Sequence, residues 1–356
     1  MERSEPQSAT GNRHVMVVGM HRSGTSGMAH TLAELGMAPP DPDDLVPAGP
    51  GNEQGHWESQ SLLEADNQLL RLLGGTWHAP PRTFPGWEQA DGPIPEAFRS
   101  EAAQLARNNF ARTPMVLKDP RLCITLPFWR SLFESEPCAV FVLRDPLEVA
   151  LSLRARHSDL PLTLGLAIWD RYVRQAMTSM AGMPVFAIEY PSIVEEPGRR
   201  IGELVAFLAD CGIQVSNENV ASASGILEPG LRYQRADGGE DSTLADQERN
   251  VLQVLRSSLG PHESWSPPEL PEERSWVEDV IELTRAGQAV LAALHFAQDE
   301  FKKVERSRLI RATQVWWRMT GRGPVTPLLT PPSDATIGVG VITNGHEIDG
   351  VTTQSW

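Results

Sequence analysis

The chain has 356 residues, of which 40% are hydrophobic and 22% are charged, and its formal net charge at pH 7 is −15. This length and composition are typical of a globular protein with one large domain or two smaller ones, and they exclude fibrous and wholly disordered classes. Nucleic acids are bound through clustered Lys and Arg, so the negative charge disfavours nucleic acid as a partner. An anionic ligand would need a locally basic pocket.

Cysteine usage and hydropathy indicate the compartment. Cys123, Cys138 and Cys211 lie among apolar residues without CxxC spacing, which is typical of reduced thiols in a protein core. No apolar run approaches the roughly 18 residues of a membrane span, and residues 1–12 lack the apolar stretch of a signal peptide. We therefore expect a cytoplasmic protein without a transmembrane segment. The sequence leaves open whether the protein forms a homodimer.

Apolar periodicity predicts alternating strands and helices. An apolar β-rich run at residues 14–18 ends in glycine, and residues 25–35 then carry helical spacing. Three similar pairs follow, at residues 115–117 with 122–133, 139–143 with 147–155, and 185–188 with 199–211. Repeated strand–helix units predict an α/β fold, a three-layer sandwich whose central sheet is mainly parallel.

Composition shifts suggest the domain limits. We expect a disordered N-terminus at residues 1–12, a main domain at 13–300, a basic helix at 301–323 and a flexible C-terminal tail at 324–356. Two stretches rich in proline and glycine, residues 37–55 and 76–95, are predicted to be loops at the sheet edge. The basic segment contains Trp316 and Trp317 and could contact a membrane surface or a protein, or be a solvated helix.

The first motif is the sequence GMHRSGTS at residues 19–26, which follows the first strand and opens the first helix. Backbone N–H groups and a helix N-terminus cradle phosphates in this setting. Gly19, Gly24 and Ser26 fit the Walker pattern, but Thr25 stands where a lysine would reach the β- and γ-phosphates. The motif therefore disfavours an ordinary ATPase or GTPase. The cation of the loop is instead Arg22, three positions before Thr25.

Two further candidates lie at the ends of other predicted strands. Arg144 leaves a buried strand, and Ser152 follows eight positions later, so both side chains could approach one phosphate unless Arg144 is structural. Lys118 ends another strand, where parallel strands form a ligand crevice. Asp119 and Arg121 follow it and could simply pair with each other.

These motifs resemble those of sulfotransferases that use 3′-phosphoadenosine 5′-phosphosulfate (PAPS), and the bacterial type in particular. Residues 22–26 resemble the family's loop that binds the 5′-phosphosulfate. Arg144 and Ser152 resemble its element that binds the 3′-phosphate. The run at 118–120 resembles a segment that places a lysine near the sulfonate. The likeness covers about residues 13–211, with a looser part at 226–235. It implies a P-loop-NTPase-like sulfotransferase fold for the domain at 13–300, PAPS as co-substrate and no metal. The implied nucleotide-binding residues are Arg22, Ser23, Gly24, Thr25, Ser26, Arg144, Ser152, Arg232 and Arg235.

Transfer to a hydroxyl needs a general base. Cytosolic small-molecule sulfotransferases have a histidine after the strand that here ends in Lys118, and this chain has none there. Tyrosylprotein and several bacterial relatives use a glutamate after the first helix, where this chain carries GNEQGHWE at residues 51–58. The resemblance thus implies a catalytic set of Glu58, Lys118 and Arg22. Glu53, His56 and Asp66 remain alternatives as the base, and Glu58 could instead be a helix-terminal charge.

The expected function is transfer of the sulfuryl group of PAPS to a hydroxyl of a small-molecule or glycan acceptor. Four tryptophans in or near the predicted crevice would suit sugars or flat rings, or else serve in packing: Trp57, Trp77, Trp87 and Trp169. Two other classes stay open. One is a P-loop nucleotide kinase or hydrolase, and the other is a non-catalytic scaffold that binds nucleotide and transfers nothing.

Overall fold

The computed structural model of the protein describes residues 11–47, 55, 57–158, 160–223 and 246–305. The chain divides into two units, Met1–Gln288 and Ala289–Trp356. Every described candidate site residue belongs to the first unit. The predictions that fall outside the described residues concern the N-terminus 1–10, the candidates Glu53, His56, Arg232 and Arg235, most of the basic segment 301–323, and the tail 324–356.

A mainly parallel sheet forms the centre of the first unit. Its strands in the described residues are β1 (Val15–Val18), β2 (Val116–Lys118), β3 (Cys138–Leu143), β4 (Val185–Glu189) and β5 (Gly260–His262). They lie in the order β2-β1-β3-β4-β5. β1, β2, β3 and β4 run parallel to one another, and β5 is antiparallel to β4. The prediction of an α/β fold with a mainly parallel sheet is confirmed.

The helices of the described residues are α1 (Thr25–Glu34), α2 (Gln60–Leu72), α3 (Glu96–Asn109), α4 (Leu122–Arg130), α5 (Pro146–Arg156), α6 (Leu162–Ser179), α7 (Tyr190–Glu195), α8 (Pro197–Asp210), α9 (Asn217–Ala223), α10 (Asp246–Arg256) and α11 (Ser275–Glu305). Each predicted strand–helix pair is present with bounds shifted by a few residues. The sequence predictions omit α6, of which 15 of 18 residues are buried.

Helices cover both faces of the sheet. In β1, Met16 and Val18 belong to a core that also contains buried residues of α2, α3, α4 and α6. Val15 and Val17 point to the opposite core, with buried residues of α1, α7 and α8. Since successive side chains of a strand point to opposite faces, a strand that is apolar at every position must be covered on both. The three-layer sandwich predicted from the sequence is therefore present.

The sheet order creates one favoured ligand crevice. From β1 the chain passes to β2 on one side, then crosses over to β3 on the other side of β1. Ligands of such sheets bind beyond the carboxyl ends of the strands at this switch point, where the loops after β1 and β3 diverge. The loop after β1 holds residues 19–24, Arg144 follows β3, and Lys118 ends β2. The fold thus collects the separate sequence motifs at one edge.

The sequence predicts one long helix over residues 272–308, and the structure has α11 at Ser275–Glu305. In its part that belongs to the first unit, Val277 and Ile281 are buried. Among the described residues, no helix combines the length and the hydropathy needed to cross a membrane.

Candidate active site

The loop between β1 and α1 has an unusual backbone. Arg22 has a φ of 67° and Gly24 a φ of 93°, so two left-handed residues lie within three positions, directly before Thr25 opens α1. The N–H of Ser23 donates a 3.1 Å hydrogen bond to the carbonyl oxygen of Met20 within the loop, and the N-terminus of α1 supplies N–H groups and its partial positive charge. The hydroxyl of Ser23 is buried and has no hydrogen-bond partner in the described part of the chain. The loop therefore offers several donors to an anion.

Glycine is required at two positions of this loop because other groups approach the backbone closely. A Cβ on Gly24 would lie 2.0 Å from Cδ2 of Tyr190, which is the first residue of α7. A Cβ on Gly19 would lie 2.7 Å from the carbonyl oxygen of Val142 in β3. The loop is thus packed against the ends of both β3 and β4.

The two predicted phosphate anchors are in direct contact. Nε of Arg22 donates a hydrogen bond of 2.9 Å to Oγ of Ser152, and Nη1 of Arg144 donates one of 2.9 Å to the carbonyl oxygen of Arg22. A left-handed backbone is unfavourable for a residue with a Cβ, so the surrounding structure must hold it in place. The bond from Arg144 to the Arg22 carbonyl does this directly.

Arg144 has contacts on several sides. Its Nε pairs with Oε2 of Glu148 at 2.9 Å, its guanidinium lies 5.5 Å from the centre of the Tyr190 ring, and its carbonyl accepts a 3.2 Å bond from the indole of Trp169. Only 6% of Arg144 is exposed. Arg144 therefore has a structural role in holding the loop, which is the alternative that the sequence left open. Its binding of a phosphate stays a prediction.

Lys118 joins the candidate base to the loop. It ends β2, is 3% exposed, and its Nζ lies 3.2 Å from Oγ of Ser26 at the start of α1. The same Nζ forms an ion pair with the carboxylate of Glu58. Glu58 precedes Ser59, the N-cap residue of α2. Its contact with Lys118 gives Glu58 a specific partner beyond a general attraction to a helix terminus.

The other carboxylates near the crevice are bound within the chain. Asp119 pairs with Arg121 at 3.1 Å, so these two residues bind each other, as the sequence allowed. Asp66 is fully buried, and its Oδ1 accepts a 2.7 Å bond from the indole of Trp129. Burial, reinforced by the nearby Asp119 carboxylate, raises the pKa of Asp66 well above its ordinary value. A fully buried Asp66 bonded to Trp129 is poorly placed to take a proton from an acceptor.

His21 is a residue of the loop that the sequence predictions omit. Its ring lies 5.1 Å from that of Trp77 and 5.7 Å from that of Tyr172, and its Nε2 is buried without a hydrogen-bond partner in the described residues. Burial lowers the pKa of His21 well below its ordinary value, and the cations of Arg121 and Lys118 act in the same direction. His21 is therefore neutral at pH 7. Its position beside Arg22 in the motif is the sequence signal that could have drawn attention to it.

Two supporting residues could also have been found from the sequence. Glu148 lies four positions after Arg144, the spacing at which opposite charges meet. Tyr190 directly follows β4, at the same sheet edge as the other site residues. Of the four tryptophans, Trp87 and Trp169 are buried in the core, which leaves the half-buried Trp57 and Trp77.

No group of three or more His, Cys, Asp or Glu side chains in the described residues has the arrangement to hold a metal ion. The candidates Glu53, His56, Arg232 and Arg235 lie outside those residues. Arg232 and Arg235 were expected to close over the nucleotide, and this stays a prediction.

No protein-family model matches the chain, and no curated protein matches it. Among solved structures, the chain is similar to the sulfotransferase domain from the Synechococcus PCC 7002 olefin synthase, with 15% identity over 80% of this chain and 97% of that one, at a TM-score of 0.37. It is also similar to the sulfotransferase domain from the curacin biosynthetic pathway, with 16% identity over 79% and 98%, at a TM-score of 0.36.

A third similar structure is that of mouse sulfotransferase SULT7A1 complexed with PAP, with 14% identity over 70% of this chain and 86% of that one, at a TM-score of 0.32. All three are sulfotransferases, the family that the sequence motifs resemble. At TM-scores below 0.5 these likenesses assign no activity, so the functional assignment rests on the site residues.

Replacing Gly24 by Ala tests the packing of the loop. Gly182 has a similar φ of 80°, but a Cβ there meets nothing within 4 Å, so Gly182→Ala is a matched control. The control should lower the free energy of unfolding by about 1–2 kcal/mol, the penalty of a left-handed Ala. Gly24→Ala should lower it by roughly 1–3 kcal/mol more, because Tyr190 must move. Urea unfolding measures both, and equal losses in the two variants would contradict the described contact.

Proposed function

We propose that the chain is a sulfotransferase that moves the sulfuryl group of PAPS to a hydroxyl of a carbohydrate or small-molecule acceptor. The observation that carries the proposal is the contact between the loop at residues 19–26 and the Arg144–Ser152 pair, with Lys118 and Glu58 at the same sheet edge. A nucleotide with phosphates at both the 5′ and the 3′ positions of one ribose needs two adjacent anchors of this kind. PAPS and its product adenosine 3′,5′-bisphosphate (PAP) are such nucleotides.

In the proposed complex, the 5′-phosphosulfate lies over the left-handed loop. The N–H groups of the loop, the hydroxyls of Ser23, Thr25 and Ser26, and the cation of Arg22 bind its oxygens. The 3′-phosphate lies beside Arg144 and Ser152. Because Arg22 is hydrogen-bonded to Ser152, binding at one anchor orients the other.

In the proposed reaction, the acceptor oxygen forms a bond to sulfur while the bond from sulfur to the 5′-phosphate oxygen breaks. Glu58 takes the acceptor proton, and PAP leaves as an anion. Lys118 and Arg22 stabilise the charge that develops on the leaving oxygen. Lys118 pairs with Glu58 in the structure, so an oxygen of the ligand that attracts the ammonium would free the carboxylate to act as base.

The alternatives are less well supported by the site. A kinase or hydrolase of the P-loop type uses a lysine at the position of Thr25 and a bound Mg²⁺. A non-catalytic scaffold would need the anchors but would have no use for Lys118 and Glu58 beside the loop. We accordingly propose turnover, and we propose that it occurs in the cytoplasm.

Calorimetry of nucleotide binding in EDTA tests the cofactor assignment. PAP should bind more tightly than AMP, because only PAP occupies the Arg144–Ser152 anchor. Ser152→Ala should weaken PAP by about 1.5–3 kcal/mol, the usual value of a hydrogen bond to a charged group, and should affect AMP much less. Ser131→Ala removes a hydroxyl that bonds to the Phe128 carbonyl and is the control. Equal affinities of the parent protein for PAP and AMP would remove the sulfotransferase assignment.

Glu58→Gln tests the base. The amide keeps the shape of the carboxylate but cannot take a proton, so kcat for sulfuryl transfer should fall by about 10²–10⁴-fold while the Kd of PAP changes little. Glu64→Gln, an exposed position on α2, is the matched control and should leave both values unchanged. A Glu58→Gln variant with most of its turnover would show that another residue is the base, with Glu53 and His56 next to be replaced.

A further inference from the structure

A group of rings borders the loop on the side of α6. Trp77 is half-buried, and its ring centre lies 5.1 Å from that of His21, 4.8 Å from that of His78 and 5.5 Å from that of His157. Tyr172 of α6 donates a 3.0 Å hydrogen bond to the carbonyl of Trp77. We call Trp77 with these three histidines the imidazole cluster. This hydrogen bond fixes the backbone of Trp77 to α6.

Two nitrogens of the imidazole cluster have unmet hydrogen-bonding capacity. Nε2 of His21 and Nδ1 of His78 are buried and have no partner among the described residues. Buried polar atoms without a partner are rare in proteins, because each loses its hydrogen bonds to water without replacement. Two such atoms beside one tryptophan ring suggest that a ligand supplies the missing partners.

The chemistry of the ring nitrogens restricts that ligand. Burial lowers the pKa of His21 well below its ordinary value and also lowers that of His78. Both rings are therefore neutral at pH 7, and a neutral imidazole offers one donor and one acceptor. Hydroxyl groups, which both donate and accept, match neutral imidazoles better than carboxylates or ammonium groups do.

His21 also links the cluster to the proposed chemistry. It precedes Arg22 in the loop, so a ligand on Trp77 would lie beside the proposed phosphosulfate position. A cavity of about 680 Å³ lies elsewhere, lined mainly by the C-terminal half of α6 and residues 82–88. Its buried Arg171 is already paired with Glu273 and Glu278, which argues against a ligand there.

We propose that Trp77, His21 and His78 form the acceptor subsite and that it takes a polyhydroxylated ring, a sugar, in preference to a phenol with one hydroxyl. The C–H face of a sugar ring would pack on Trp77, while two of its hydroxyls would bond to His21 and His78. A phenol can also pack on Trp77, but it offers one hydroxyl to the two nitrogens, whereas a sugar ring offers several. This inference deepens the proposed function and rests on it for the chemistry that follows binding.

Saturation-transfer NMR on the full chain tests the subsite, with and without PAP. The probes are the phenyl β-glycosides of glucose, galactose and N-acetylglucosamine, compared with phenol and naphthol. At least one glycoside should receive saturation at its sugar-ring protons and bind more tightly than either phenol. Phenols that bind as tightly as every glycoside, or the absence of any glycoside binding, would overturn the proposal.

Variants identify the residues. Trp77→Ala and His78→Ala should each weaken the bound glycoside by about tenfold or more, and His78→Gln, which keeps a hydrogen-bonding group, should recover part of the loss. Phe84→Ala removes a 55% exposed ring from the same loop and should change nothing. Circular dichroism and Tm verify that each variant is folded. Unchanged glycoside affinity in both folded His78 variants and in folded Trp77→Ala would overturn the assignment.

Calorimetry with PAP separates the two proposals. If PAP fails to bind while a glycoside binds in a manner that depends on Trp77 and His78, then the proposed function fails and the sugar subsite stands. If PAP binds through both anchors but no glycoside contacts the cluster, then the subsite fails and the proposed function stands.

Discussion

The left-handed backbone at Arg22 and Gly24 is the constraint on which the site depends. This conformation brings the loop to the N-terminus of α1, but it is unfavourable at Arg22 and allows no Cβ at Gly24. Residues from neighbouring strand ends hold it: Arg144 after β3 binds the Arg22 carbonyl, and Tyr190 after β4 packs on Gly24. The sheet order makes this possible, because β3 lies beside β1 and β4 lies next to β3 on the same side.

Buried ion pairs place three cations at the sheet edge of a chain whose net charge is −15. At the sheet edge, Lys118 pairs with Glu58, Arg144 with Glu148 and Arg121 with Asp119. An isolated buried cation would be strongly unfavourable, so each carboxylate allows its cation to lie at the switch point. In the proposed complex, an anionic ligand would compete with these carboxylates for the cations. At Lys118 this competition would release the carboxylate of Glu58, which is the basis of the proposed reaction.

Local sequence patterns predicted the strands, the loop and its anchors, because a glycine-rich turn between an apolar run and a helix is recognisable without tertiary information. The contacts among the motifs required the fold: Glu58 and Lys118 are 60 positions apart, and Arg22 and Ser152 are 130 apart. Helix α6, of which 15 of 18 residues are buried, was also absent from the sequence predictions. The environment of His21 also depends on the fold, because Trp77 and Tyr172 reach it from distant segments. Sequence alone therefore suggested the residues of the proposed nucleotide anchors but not the ring cluster beside them.

Transfer of radioactive sulfur from PAPS in the presence of EDTA tests the central claim most directly. The purified full chain is incubated with labelled PAPS and pooled glycosides, phenols and bacterial metabolites, and both labelled product and released PAP are quantified. The account predicts metal-independent transfer of the label to an acceptor, with one PAP formed per product molecule, and loss of transfer in Lys118→Ala. Label that stays on the nucleotide with every pool, although calorimetry shows that PAP binds, would contradict the account and identify the chain as a nucleotide-binding scaffold.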